Sequence, residues 1–199
     1  ILSINDYCWH WWISSMKVSL KKSIDNTLNT LKKMKNLESM DVLVGVPGKT
    51  ASRKNNKEDI NNAQLLYIHS KGSPLKNIPA RPVIEPAISE AKNKAQIAEN
   101  LKLAAQLMLE GKHEGAIRQL HLTGLDAVNK IKAWFEDSSN NWSPLQRATI
   151  LARIRKQKSK KKRKELYDLL ISDPSKFLPL QDTGQLRNAI TYVVEAKEK

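Results

Sequence analysis

The sequence predicts an α+β protein in which several helices, one of them long, pack on a small, mainly antiparallel sheet. Three observations carry this. Apolar residues recur at spacings of three and four over most of the chain, which is the helical period. After Ser39 and again after Gly184 the period drops to two, the signature of a strand. Turn-forming residues separate the periodic stretches at Pro47-Gly48, Gly72-Ser73-Pro74 and Asp182-Thr183-Gly184. The 199 residues suit one medium domain, and a hydrophobic fraction of 40% is enough for one core.

Residues 1–15 differ in style from the rest. They hold Cys8, Trp9, Trp11 and Trp12 and no lysine or arginine, and the Lys-rich chain begins at Met16. Two readings stand: a translated stretch upstream of a start at Met16, or an apolar arm that docks on a neighbour. Residues 16–196 form the expected single domain. Its first helix runs to about Ser39, with Leu20, Ile24, Leu28 and Leu31 on one face. Met40, Val42, Val44 and Val46 alternate with other residues as a strand, which Pro47-Gly48 stops.

Residues 49–61 are polar and read as a mobile loop. A short helix over about 60–69 ends at Gly72, since glycine suits a helix C-terminus. Pro79 and Pro82 stiffen the extended segment that follows. The long helix is expected over about 83–110, with Ile84, Ile88, Ala91, Ala95, Ala98, Leu101 and Ala105 as its apolar stripe and Gly111 at its end. The next helix, about 114–135, presents Ile117, Leu120, Gly124, Val128, Ile131 and Phe135. Ser143-Pro144 reads as an N-cap followed by proline in the first turn. The helix it opens carries Leu145, Ile150 and Ile154 and passes into a basic insertion, residues 153–164. Residues 166–171 read as helical, 177–180 as extended, 182–184 as a turn, and 186–194 as a closing strand whose Ile190, Tyr192 and Val194 share a face.

The formal charge of +14 favours acidic partners: nucleic acid, an anionic surface or an acidic protein ring. One cysteine excludes an internal disulfide and a cysteine-rich zinc site. No apolar run reaches the roughly 20 residues a membrane-spanning helix needs, and the start lacks the layout of a signal peptide, so a soluble protein made in a cytoplasm is expected. His10, His69, His113 and His121 form no close ligand pair, no Gly-rich phosphate loop is present, and neither a metal nor any other cofactor is expected.

Two segments carry a family resemblance. The first is Tyr67-Ile68-His69, Gly72-Ser73-Pro74 and Ile78-Pro79-Ala80-Arg81-Pro82-Val83-Ile84. The second is Ser143-Pro144-Leu145, Thr149, Arg153 and Leu180-Gln181-Asp182-Thr183-Gly184-Gln185-Leu186-Arg187. In order and spacing they resemble the virion-morphogenesis family of tailed bacteriophages, the neck, head–tail joining and tail-completion proteins. The resemblance spans roughly residues 16–196. It departs from the family pattern at Ser70-Lys71, where the family has an acidic-aromatic pair, and at Val83, where it has an aromatic.

What the resemblance implies is a structural subunit without catalytic residues. It would form a ring with copies of itself, six being the expected number, and meet the adjacent connector and tail-tube proteins in the virion neck, with no membrane partner. Pro79, Arg81, Pro82, Asp182, Gly184 and Arg187 are the candidate docking residues. Arg81 offers a planar donor fork; Asp182 is expected to bond backbone amides in its turn, and Gly184 to take positive φ there.

The basic insertion has two readings. As a solvated loop, its like charges simply hold it open. As a contact surface, Arg153, Arg155, Lys156, Lys158, Lys160, Lys161, Lys162, Arg163 and Lys164 would meet DNA phosphates, without sequence preference, or an acidic ring. A small basic DNA-binding protein acting through this run is the rival to the phage reading. Asp182-Thr183-Gly184 also matches the aspartic-protease tripeptide. That chemistry needs two carboxylates sharing a proton in a nearly all-β enzyme, and Gln181 and the helical periodicity argue against it.

Overall fold

A computed structural model describes residues 27–35, 39–53 and 60–196. The N-terminal extension 1–15, the first part of the expected N-terminal helix, residues 54–59 of the expected mobile loop and the charged tail lie outside the described residues. The fold is α+β, mostly helical, with one two-stranded antiparallel sheet.

Residues 27–35 are helical (α1), but Leu28, Leu31 and Met34 are each more than half exposed, so the described part of the expected apolar face does not enter the core. Strand β1 (Met40–Gly45) pairs with β2 (Thr191–Ala196), Met40 opposite Ala196 and Gly45 opposite Thr191. The first residues of the expected loop form a helical turn, α2 (Gly48–Ala51), whose Thr50 hydroxyl donates to the Ala189 carbonyl at 2.9 Å. Helix α3 (Asn62–Lys71) opens with a capping box: Asn61 accepts from the Gln64 N–H, and Gln64 accepts from the Asn61 N–H. It ends at Gly72, with φ of 74°. A Cβ there would lie 2.9 Å from the Ala80 nitrogen and the Ile78 oxygen, so only glycine lets the chain fold back on itself.

The expected long helix is two helices, α4 (Ile84–Ser89) and α5 (Ala91–Leu109), broken where Glu90 takes extended ψ. Asn93 Nδ2 donates to the Ala87 carbonyl that the break frees, at 2.8 Å, and to the Glu90 carboxylate. One non-helical residue shifts the helical phase. Ala91, Ala95, Ala98 and Leu101 are therefore exposed, and Ala104 and Met108 are the buried positions of α5. Helix α6 (His113–Trp134) buries Leu120, Gly124, Val128 and Ile131 of the expected face but leaves Ile117 exposed, and it is the central element. It lies against α5, α4 and both strands.

Ser143-Pro144 does not start a helix. Helix α7 begins at Arg147 and runs to Arg155, with Gln146 as its N-cap. The basic run divides between the end of α7 and the start of α8 (Lys160–Ser172), capped by Ser159. The expected closing strand 186–194 begins as a helical turn, α9 (Gln185–Ala189), and becomes β2 only at Thr191.

Two apolar clusters result. The larger joins Leu66, Val83, Ala87, Ile131, Trp134, Phe135, Leu186 and Ile190, drawn from α3, α4, α6, α9 and the segments beside them. The smaller, Ile150, Ile154 and Leu170, holds α7 to α8 with help from Leu145, Leu166 and Phe177. No helix of the described residues is long and apolar enough to cross a membrane.

Candidate functional site

The two segments that carry the family resemblance are separated in sequence by the residues between Ile84 and Ser143 and meet at one cleft of about 680 Å³. Leu65 and His69 of α3 form one wall, and the rigid stretch from Lys76 to Arg81 a second. Ser143 to Gln146 with Thr149 and Arg153 of α7 form the third, and Leu180 to Leu186 closes it. Prolines hold two of the walls in extended backbone, at Pro79 and Pro144. Leu180 sits in the left-handed region at φ 59°, an unusual place for a branched residue. Gly184 takes φ 70°, as expected of it.

Arg81 is the centre of the site. It is only 6% exposed. Its N–H donates to the His69 carbonyl at 2.6 Å, and its Nη2 donates to the Ser143 carbonyl at 2.8 Å, so this one residue ties the two resemblance segments together. That use of the Ser143 carbonyl accounts for the late start of α7: residues 143–145 are held extended along the cleft instead of turning into helix. The Nε of Arg81 and the Nδ1 of His69 are both buried without a partner. Burial, and next the Arg153 charge, push the Arg81 pKa down; burial, and next the Arg81 charge, push His69 down.

The remaining charges are mostly positive. Arg53, Lys76 and Arg153 also line the cleft, and Asp182 is the one acidic residue among the described residues lining it. Asp182 does not bond the amides of its own turn as expected. It faces Arg153 Nε at 3.9 Å and Lys156 Nζ at 3.7 Å, on the side of α7. Arg153 also donates to the Leu178 carbonyl at 3.0 Å. Burial lowers the Arg153 pKa, and the Asp182 charge partly offsets this. Asp182 is more than a third exposed between two cations, the opposite of the shared-proton environment an aspartic protease needs.

Two expected docking residues lie outside the cleft. Pro82 is exposed; it gives its carbonyl to Trp142 Nε1 at 3.2 Å, and Trp142 packs edge-on against Phe135 of the main core. Arg187 pairs with Glu136 at 2.7 Å and locks α9 to the end of α6. His69, Leu145 and Thr149 line the cleft too; all three lay inside the quoted motif segments, and that adjacency was the available signal, whereas Arg53, Leu65 and Lys76 lay outside them.

The basic insertion forms a second feature. Arg153 turns inward and Arg163 is half-buried, while Arg155, Lys156, Lys158, Lys160, Lys161, Lys162 and Lys164 are exposed. Lys160 to Lys162 occupy the first turn of α8, where the helix dipole disfavours cations. Among the described residues no group of three or more His, Cys, Asp and Glu is placed to hold a metal ion. No protein-family model, no curated protein and no solved structure matches this chain.

Proposed function

We propose that the chain is a structural subunit of a tailed-phage or prophage virion that assembles with copies of itself into a ring in the neck, completes the tail and joins it to the head. The observation that carries this is the convergence of the two resemblance segments on one cleft, where Pro79, Arg81, Asp182 and Gly184 come together. Motifs that matched by accident would have no reason to share a site. The cations lining the site outnumber its one carboxylate, which suits docking of an acidic partner. The ring would meet connector and tail-tube proteins, with the cleft as one of its docking faces.

The rival reading, a small basic DNA-binding protein, draws on the lysines in the first turn of α8. Cations placed against a helix dipole are not there for stability, and a polyanion would offset the repulsion. The two readings separate in one experiment. The purified protein is weighed by light scattering and imaged by electron microscopy, alone and with tails that lack their terminal ring. Density capping the tails supports the neck reading, and it should survive neutralisation of Arg155, Lys156, Lys158, Lys160, Lys161, Lys162 and Lys164. A monomer that ignores tails and shifts DNA at low salt, and loses the shift on neutralisation, replaces it with the rival.

A further inference from the structure

Arg81 presents an imbalance that the isolated subunit does not resolve. A guanidinium is always charged, and burying one without a counter-ion is among the costliest arrangements a fold can hold. Arg81 is 94% buried by its 6% exposure, yet no carboxylate of the described residues pairs with it; the charge that acts on it most is Arg153, another cation. Its Nη2 has the Ser143 carbonyl, but its Nε has nothing. The adjoining His69 ring, joined to it through the 2.6 Å backbone bond, has a second buried nitrogen without a partner. Both side chains line the same cleft.

We infer that the cleft receives an acidic peptide segment of a partner protein, whose Asp or Glu carboxylate supplies the missing acceptor at Arg81 Nε beside His69. A carboxylate on a side-chain stem can reach below a rim, and its two oxygens match the edge of a guanidinium. The walls around that centre mix polar and apolar groups, and among the apolar ones Leu65, Ile78, Leu145 and Leu180 would cover the residues flanking the acid. A nucleic-acid backbone fits less well. Its phosphates lie at a polar surface, where exposed lysines rather than a buried arginine meet them.

The inference deepens the docking reading and rests on it, but its test does not involve ring formation. The full chain, labelled with 15N, is titrated with the blocked tripeptide acetyl-Leu-Glu-Leu-amide, with its Gln counterpart and with inorganic phosphate. The readout is the Nε–H resonance of Arg81, assigned with R81K or, should that variant not fold, by elimination with lysine variants of the other seven arginines. The expected result is a saturable displacement by the Glu peptide, weaker for the Gln peptide by at least about tenfold, the worth of a charge-assisted hydrogen bond. A resonance that stays still with the Glu peptide overturns the inference. So does equal displacement by phosphate, which would make this an inorganic-anion site. Peptide binding by a protein that never forms rings would keep the inference and remove the neck reading.

Discussion

Replacing Gly124 with alanine tests how closely the sheet is seated on the central helix. Gly124 lies mid-way along α6, and the ring of Tyr192 in β2 covers it. A Cβ built there would fall inside van der Waals contact with Tyr192 Cδ2 and lie 2.7 Å from Cγ. Carbon atoms rest at about 3.5 Å or more, so the ring must retreat by at least about 0.8 Å. Cγ is anchored next to the backbone, so the strand has to move with it. Overpacking of this kind costs about 1–3 kcal/mol. Alanine in a helix interior returns about 1 kcal/mol relative to glycine. G124A should therefore destabilise by about 0–2 kcal/mol, read as a lower urea midpoint at unchanged slope. In a Y192A background the clash is gone and the sign reverses: the same substitution should stabilise by about 1 kcal/mol. The coupling energy of the cycle is then about 1–3 kcal/mol. Equal stabilisation by G124A in both backgrounds would refute the close contact between α6 and β2.

Four further outcomes follow from the same structure. I154A removes a fully buried residue from the smaller cluster, and a loss of about 2–5 kcal/mol should appear as faster hydrogen exchange in α7 and α8 while α6 stays protected; simultaneous opening of α6 would contradict a separate cluster. His69 has a folded pKa below its ordinary 6.5, so the unfolded chain binds the extra proton first. The stability it contributes is present above that value and is lost as pH falls from 6.5 toward the folded pKa. Urea midpoints taken between about pH 8 and about pH 5 should fall on the acid side, and H69Q should flatten that limb. The Arg187–Glu136 pair is close but largely solvated, and a double-mutant cycle should give less than about 1 kcal/mol. K161E and K162E should raise the melting temperature, because they place acids where the α8 dipole favours them, and should weaken retention on DNA at low salt.

The parts of the fold legible in sequence were those where local pattern and tertiary demand agree. The alternation through Val42 and Val44 gave β1, the stripe from Leu120 to Ile131 gave α6, and Gly72 and Gly184 marked backbone positions that need positive φ. The break at Glu90 was not legible, because neither proline nor glycine marks it and a side-chain cap from Asn93 completes it. Once the phase had shifted, a stripe drawn across the break named the wrong face of α5. At 185–189, Leu186, Ala189 and Ile190 satisfy both a helical and an extended reading, and the bond from Thr50 to the Ala189 carbonyl belongs to a partner far away in sequence. Most of the cleft was visible as motif residues, Arg81 and Asp182 among them. The role of Asp182 was not, since its partners Arg153 and Lys156 come from another helix.

The pairing of β1 with β2 has a consequence for how the chain reaches this state. Residues 40–45 find their ladder partners at residues 191–196, across helices α2 to α9. A contact of such sequence separation forms slowly, since the loop must close before any bond compensates for the lost freedom. During synthesis the α5–α6 hairpin can assemble early from local contacts. Until β2 arrives, β1 presents two unpaired edges, the open strand that invites wrong partners. The sheet is therefore expected to be the last element to form, and the slow phase of refolding should track the environment of Tyr192.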